Sequence, residues 1–175
     1  MQDLKYPIGL FYAPEKIETI HLKDWLDELA AAPSRLKTAV LDLSDSQLDT
    51  PYREGGWSVR QVVHHLADSH MNAYIRIKLA LTEENPVIRP YEEKAWAELS
   101  DSKHGEIEVS LVLLEHLHKR LVMLASSLSE ADLNRTFYHP ANKTSATLAE
   151  TLGVYAWHGN HHIAHIVSLR KRMGW

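Results

Sequence analysis

The chain has 175 residues, 45% of them hydrophobic and 24% charged, a composition that folds as a globular domain and argues against disorder. Acidic residues outnumber basic ones 23 to 19, a formal net charge of -4, so the cationic surface of a nucleic-acid binder is absent. There is no cysteine, which excludes disulfides, zinc fingers, iron–sulfur clusters and cysteine nucleophiles together, whereas histidine is unusually frequent at 12.

The whole chain, 1–175, reads as a single domain. Residues 1–18 contain Pro7, Gly9 and Pro14 and are expected to form an irregular arm. Met1 to Pro14 has no basic start followed by an apolar stretch, so no signal peptide is expected. No apolar run approaches the ~20 residues of a membrane span. The expected location is cytoplasmic, with no membrane or nucleic-acid partner.

Leu22, Trp25, Leu26 and Leu29 recur at helical spacing, and the pattern resumes after Pro33 with Leu36, Val40 and Leu43. This predicts one long helix kinked at the proline. Gly55-Gly56 breaks the chain, and Ser58 caps a second helix from Val59 to about Leu81. Its apolar face is Val59, Val62, Val63, Leu66, Ala73, Tyr74, Ile77 and Leu81. Pro86 and Pro90 mark a long connection with at most a short helix near Glu92 to Leu99. Leu114, Leu117, Leu121, Leu124 and Leu128 define the third helix by alternating steps of three and four. After a second connection, Ser129 to Ser145, Thr147 and Glu150 form a capping box that opens a fourth helix, Leu148 to about Met173. No segment alternates as a strand should and no repeat is present. The expected fold is an all-α four-helix bundle with long inter-helix connections that cover one end or carry function.

Seven histidines fall on two of these helices: His64, His65 and His70 on the second, and His158, His161, His162 and His165 on the fourth. Residues three, four and seven apart share a helix face, so the last four form one stripe, with Tyr155 on the same side. His158 and His162, at i and i+4, aim two imidazoles at one spot. Two such rings repel when protonated and are costly to bury unpaired, and a shared metal ion removes both problems. On the second helix, Asp68, Ser69, Asn72 and Arg76 follow His65 at steps of three, four, seven and eleven, a polar stripe bordering the buried face. Facing the fourth helix, that stripe offers a third imidazole, and spacing alone does not choose His65 over His64. His64 points roughly away from His65 and reads as a surface residue, and His70 sits near the core face. His21, His104, His116, His118 and His139 read as hydrogen-bonded core or exposed residues.

Several chemistries are excluded. Gly159 stands where a zincin protease has its glutamate, and neither a Gly-x-Ser-x-Gly elbow nor a phosphate-binding glycine loop occurs.

Longer runs carry a family resemblance. They are Tyr6-Pro-Ile-Gly9, Gln47-Leu-Asp-Thr-Pro-Tyr-Arg53, Gly55 through His70, Ile88-Arg-Pro-Tyr91, Phe137-Tyr-His-Pro140 and the histidine-rich fourth helix. Together they span almost the whole chain and resemble the DinB-like superfamily, in particular its YfiT branch of metal-dependent hydrolases. The resemblance implies a four-helix bundle holding one divalent metal per chain through three histidines: His65 before Leu-Ala, and His158 and His162. It also implies a homodimer. The YfiT branch is assigned hydrolase activity by analogy, and relatives transfer or isomerise with bacillithiol, mycothiol or glutathione. Where many members have Gly-Gln after the last ligand, this chain has Ala164-His165.

Three imidazoles leave a position open for water or substrate. Zn²⁺ is the first expectation for the metal, with Ni or another first-row ion next, and it lowers the pKa of bound water from ~16 to about 7. The leading expectation is thus a hydrolase of a small-molecule substrate, with Asp68, Asn72, Arg76 and Tyr155 as orienting or proton-donating residues. The alternatives are a low-molecular-weight-thiol S-transferase, which must borrow its sulfur because the chain has none in cysteine, and a non-catalytic metal-binding bundle.

Overall fold

A computed structural model describes residues 4–175. Four long helices make the bundle: α1 (Thr19–Val40), α3 (Val59–Thr82), α6 (Ile107–Ala125) and α8 (Leu148–Met173). Short elements fill the connections: α2 (Asp45–Leu48), α4 (Glu93–Ala97), α5 (Ser100–His104), α7 (Glu130–Leu133), β1 (Thr136–His139) and β2 (Thr144–Thr147). No helix among the described residues is long and apolar enough to cross a membrane.

The helix starts follow from local chemistry. Ser58 and Thr147 each accept from the backbone N–H three residues on, and Gln61 and Glu150 reach back to the cap residues. Gly174, at φ 73, ends α8 in the left-handed conformation. The first helix stops at Val40 rather than at Leu43, where Asp42 turns the chain at φ 60. Ser44 and Ser129 open further capping boxes, and these make the short helices α2 and α7 that apolar periodicity does not reveal. The connection expected to hold one short helix holds two, α4 and α5.

Each bundle helix packs on two others: α1 on α8 and α6, and α3 on α6 and α8. Consecutive helices α1 and α3 therefore occupy diagonal corners, as do α6 and α8. The core is two apolar clusters. One holds Leu36, Val40, Val59, Leu66, Leu114 and Ile166, and the other Leu29, Ile77, Leu121, Phe137, Leu148 and Leu152. Read against chain direction, α1 and α8 run one way and α3 and α6 the other. The segment between α3 and α6 must return along the bundle, which explains its length, and α4 and α5 pack on α3 as it does so.

The connection before α8 contains a β-hairpin where no strand was expected. Thr136 pairs with Thr147, Phe137 with Ala146, Tyr138 with Ser145 and His139 with Thr144. Strands of four residues are too short to show an alternating pattern, and only Phe137 of β1 is fully buried. The arm, of which residues 1–3 lie outside the described part, contains no helix or strand over residues 4–18. It lies along α8, where the Trp157 indole N–H donates to the Gly9 carbonyl at 3.2 Å.

Candidate metal centre

Between the two apolar clusters lies a layer of histidines. His65 of α3 and His158 and His162 of α8 bring one ring nitrogen each to within 4.8 Å of one another. The Nε2 atoms of His65 and His158 are 3.3 Å apart. Two nitrogens that each bind an ion at about 2.0–2.1 Å in tetrahedral geometry stand about 3.3–3.4 Å apart, so this pair is already at the spacing a metal needs. The Nδ1 atom of His162 is buried with no hydrogen-bond partner among the described residues, a polar atom that burial leaves in want of a proton acceptor or an ion. These donors fit a divalent cation.

Electrostatics point the same way. Burial holds His65 down to about 4 and depresses His158 and His162 well below the ordinary range, with the neighbouring imidazoles adding to the effect in the latter two. All three rings are neutral at pH 7 and keep lone pairs for a metal. Trp57 roofs the cluster, its ring centroid 4.6 Å from that of His65 and 6.2 Å from that of His162. Trp57 carries no role in the sequence reading, although it sits in the Gly55–His70 run that marks the family.

His64 is not a surface residue. It is buried between α3 and α6, with Nδ1 2.7 Å from Ser110 Oγ and Nε2 3.2 Å from the Gly105 carbonyl. With both nitrogens engaged it has none left for an ion. Beside it, Arg60 donates to Asp45, Asp49 and the Gly105 carbonyl, pinning α2 and the end of α5 to the start of α3.

His158 is half-buried because it forms part of the wall of a cavity of about 450 Å³. Arg76 and Tyr155 line this cavity, and the Arg76 guanidinium donates to the Tyr155 hydroxyl at 3.1 Å. Asp68 and Asn72 lie outside its lining. Asn72 donates to the Asp68 carbonyl instead, and the Asp68 carboxyl is pushed up to about 6 by burial and by Asp101 of α5. The stripe from His65 to Arg76 therefore splits, with Ser69 and Arg76 on the cavity and Asp68 and Asn72 off it.

The rest of the wall comes from the connections. Tyr91 and Glu93 enter from the segment after α3, and His139 and Asn142 from the hairpin. The two segments are joined by backbone bonds from Ile88 N–H to the Tyr138 carbonyl at 3.0 Å and from Tyr138 N–H to the Pro86 carbonyl at 2.9 Å. Sequence reasoning missed these residues as site components. The signal was present in the runs Ile88 to Tyr91 and Phe137 to Pro140, which no helix periodicity explains.

A histidine-lined centre across two helices of a four-helix bundle is the architecture of a metal protein. The DinB superfamily model matches residues 28–166, and the chain belongs to that superfamily. It is 56% identical over 173 residues to the Bacillus subtilis protein named "Putative metal-dependent hydrolase YfiT", covering 99% of this chain and 97% of that one. An Oceanobacillus iheyensis protein of the same description is 57% identical over 171 residues, 98% of each chain. The solved structure of YfiT from B. subtilis, described as a probable metal-dependent hydrolase with an unusual four-helix bundle topology, superposes with a TM-score of 0.96 over 98% of both chains. The diagonal placement of successive helices gives that description a concrete form here.

Proposed function

We propose that the protein is a metal-dependent hydrolase acting on a small molecule bound in the 450 Å³ cavity. The observation that carries this reading is the convergence of His65, His158 and His162 with His158 exposed to that cavity. What a bound divalent ion supplies there is a Lewis acid for a carbonyl oxygen and a water with a pKa of about 7. The chain's own residues bind and orient the substrate. Arg76 has no carboxylate within ion-pair distance among the described residues, and its Nε is buried without a partner. The buried Tyr91 hydroxyl has no hydrogen bond of good geometry among the described residues, its neighbour being the Ser69 hydroxyl. Both are donors. A substrate that satisfies them presents oxygen acceptors, as an ester, an amide or a carboxylate does.

The test is turnover of small esters and amides, with and without a carboxylate, by metal-loaded protein. Release of two fragments with uptake of water is expected, and Arg76→Gln raises KM about 10- to 100-fold, the loss of a charge-assisted hydrogen bond. Conjugation of a bacillithiol-type thiol to an electrophile, without hydrolysis, overturns the reading in favour of an S-transferase. Failure of the loaded protein on both classes leaves a binding bundle.

A further inference from the structure

The histidine layer does not end at His65, His158 and His162. His70 Nε2 lies 3.3 Å from Nδ1 of His158, and His118 Nε2 lies 2.8 Å from Nδ1 of His70. His118 Nδ1 in turn lies 2.6 Å from the carbonyl oxygen of Leu29. His70 and His118 are fully buried, with relative exposures of 0% and 1%. The series runs from α8 to α3 to α6 to α1, touching each bundle helix once.

Its far end fixes its direction. A carbonyl oxygen can only accept, so the proton of His118 is on Nδ1, and in a neutral ring Nε2 is then an acceptor. That acceptor takes the proton of His70 from Nδ1, which leaves His70 Nε2 as an acceptor for Nδ1–H of His158. The lone pair of His158 is thereby on Nε2, the nitrogen that faces His65. The starting point is available because of a proline. In α1 the carbonyl of Leu29 would accept from the N–H of residue 33, and Pro33 has none.

We propose that His70 and His118 are positioning residues that set the tautomer and ring orientation of His158 for metal binding, through a relay of imidazole hydrogen bonds anchored on the Leu29 carbonyl. The inference rests on the reading of His158 as a ligand. Hydrogen bonds to the far nitrogen of a ligating histidine orient the ring and raise its basicity, and their loss lowers metal affinity about 10- to 100-fold. The usual partner is a carboxylate or a backbone carbonyl. Here two neutral rings intervene between the ligand and the carbonyl, so the orienting group can sit on a helix that does not face the metal.

The test has two arms. Nitrogen-15 NMR of the full chain, labelled at histidine and free of metal, reads the tautomers directly. Nδ1–H is expected for His118, His70 and His158, and an Nε2–H tautomer at His70 overturns the relay. Zn²⁺ affinity measured against a chelating indicator is the second arm. His118→Leu should bind Zn²⁺ about 10- to 100-fold more weakly with unchanged helical circular dichroism. His118→Gln, whose carboxamide offers one donor and one acceptor, should recover most of the loss. Wild-type affinity in a folded His118→Leu protein overturns the proposal. If that variant does not fold, the tautomers of the wild-type chain decide. The metal reading has its own separate failure, retention of metal by His158→Ala.

Discussion

Helix α8 carries two histidine pairs of the same spacing, His158 with His162 and His161 with His165, offset by three residues. Each pair is drawn into the protein, yet they end in different company. The first meets a third imidazole from α3 beside a cavity. The second pair bonds to itself, Nε2 to Nε2 at 3.0 Å. It is enclosed by aromatic rings: Tyr52 stacks on His165 at 3.9 Å between centroids, and Trp157 stacks on His161 at 4.6 Å. Spacing delivers two rings to one spot in both cases. Whether a third donor waits there is decided by the element across the way, and α3 faces one pair while the arm and the loop before α3 face the other.

The largest expected effect tests that contrast directly. His158→Ala or His162→Ala should bring metal content from about one ion per chain to near zero, while His161→Ala and His165→Ala should keep it, as read by elemental analysis of untagged protein. Equal loss from both pairs would erase the distinction. On the opposite helix, His65→Ala should likewise abolish binding. His64→Ala should retain the metal and lose about 1–3 kcal/mol of stability, because the Ser110 hydroxyl loses its partner, whereas the Gly105 carbonyl still accepts from Arg60.

Acid should act on the His65, His158 and His162 cluster and on the His161 and His165 pair in the same direction until metal is added, since burial lowers all five. Burial lowers His65 from 6.5 to about 4, and burial followed by His161 lowers His165 to about 3. With folded values below the unfolded one, the unfolded chain takes up protons first as pH falls. Stability of the metal-free protein is thus full above about 6.5 and is lost progressively down to about 4 for His65, a contribution on the order of 3 kcal/mol. Denaturant titrations across that window should show the decline. Saturating Zn²⁺ should raise the curve at pH 7 and lose its effect in acid, since protons and metal compete for the same lone pairs. His165→Phe should reduce the acid sensitivity without changing the response to Zn²⁺.

The smallest effect lies between the pairs. A Cβ at Gly159 would meet Ala32 at 3.6 Å and His70 at 3.7 Å, ordinary contacts, so Gly159→Ala should leave metal content intact and gain up to about 0.5–1 kcal/mol of helix stability. At Gly153, two turns earlier, a Cβ would come within 2.8 Å of both Phe11 and Trp25, and alanine there should cost about 1–3 kcal/mol. Thermal melts of the two variants should move in opposite directions.

What the sequence makes legible divides along the same lines. The bundle is readable because Ser58 with Gln61 and Thr147 with Glu150 announce their helices, and because leucines recur at helical steps. The pair His158 and His162 is readable for the same reason. The choice of His65 over its neighbour came through the family resemblance, because adjacent residues on a helix differ by only about 100° and the packing partner settles the matter. His118 gave no signal, since its partners are the carbonyl of Leu29 and a ring on another helix. The hairpin was hidden by the shortness of its strands.

That hairpin and the segment after α3, held together through Ile88 and Tyr138, form much of the cavity wall, while His65, His158 and His162 stand on α3 and α8. On the proposed function, much of the selectivity therefore comes from the connections, to which Arg76 and Tyr155 add from the helices that carry the ligands. A lineage can exchange residues 83–92 or 136–147 and alter what is admitted without touching His65, His158 and His162 or the rings behind them. Such a scaffold is well suited to diversification: one reactive centre, inherited whole, can be given many entrances.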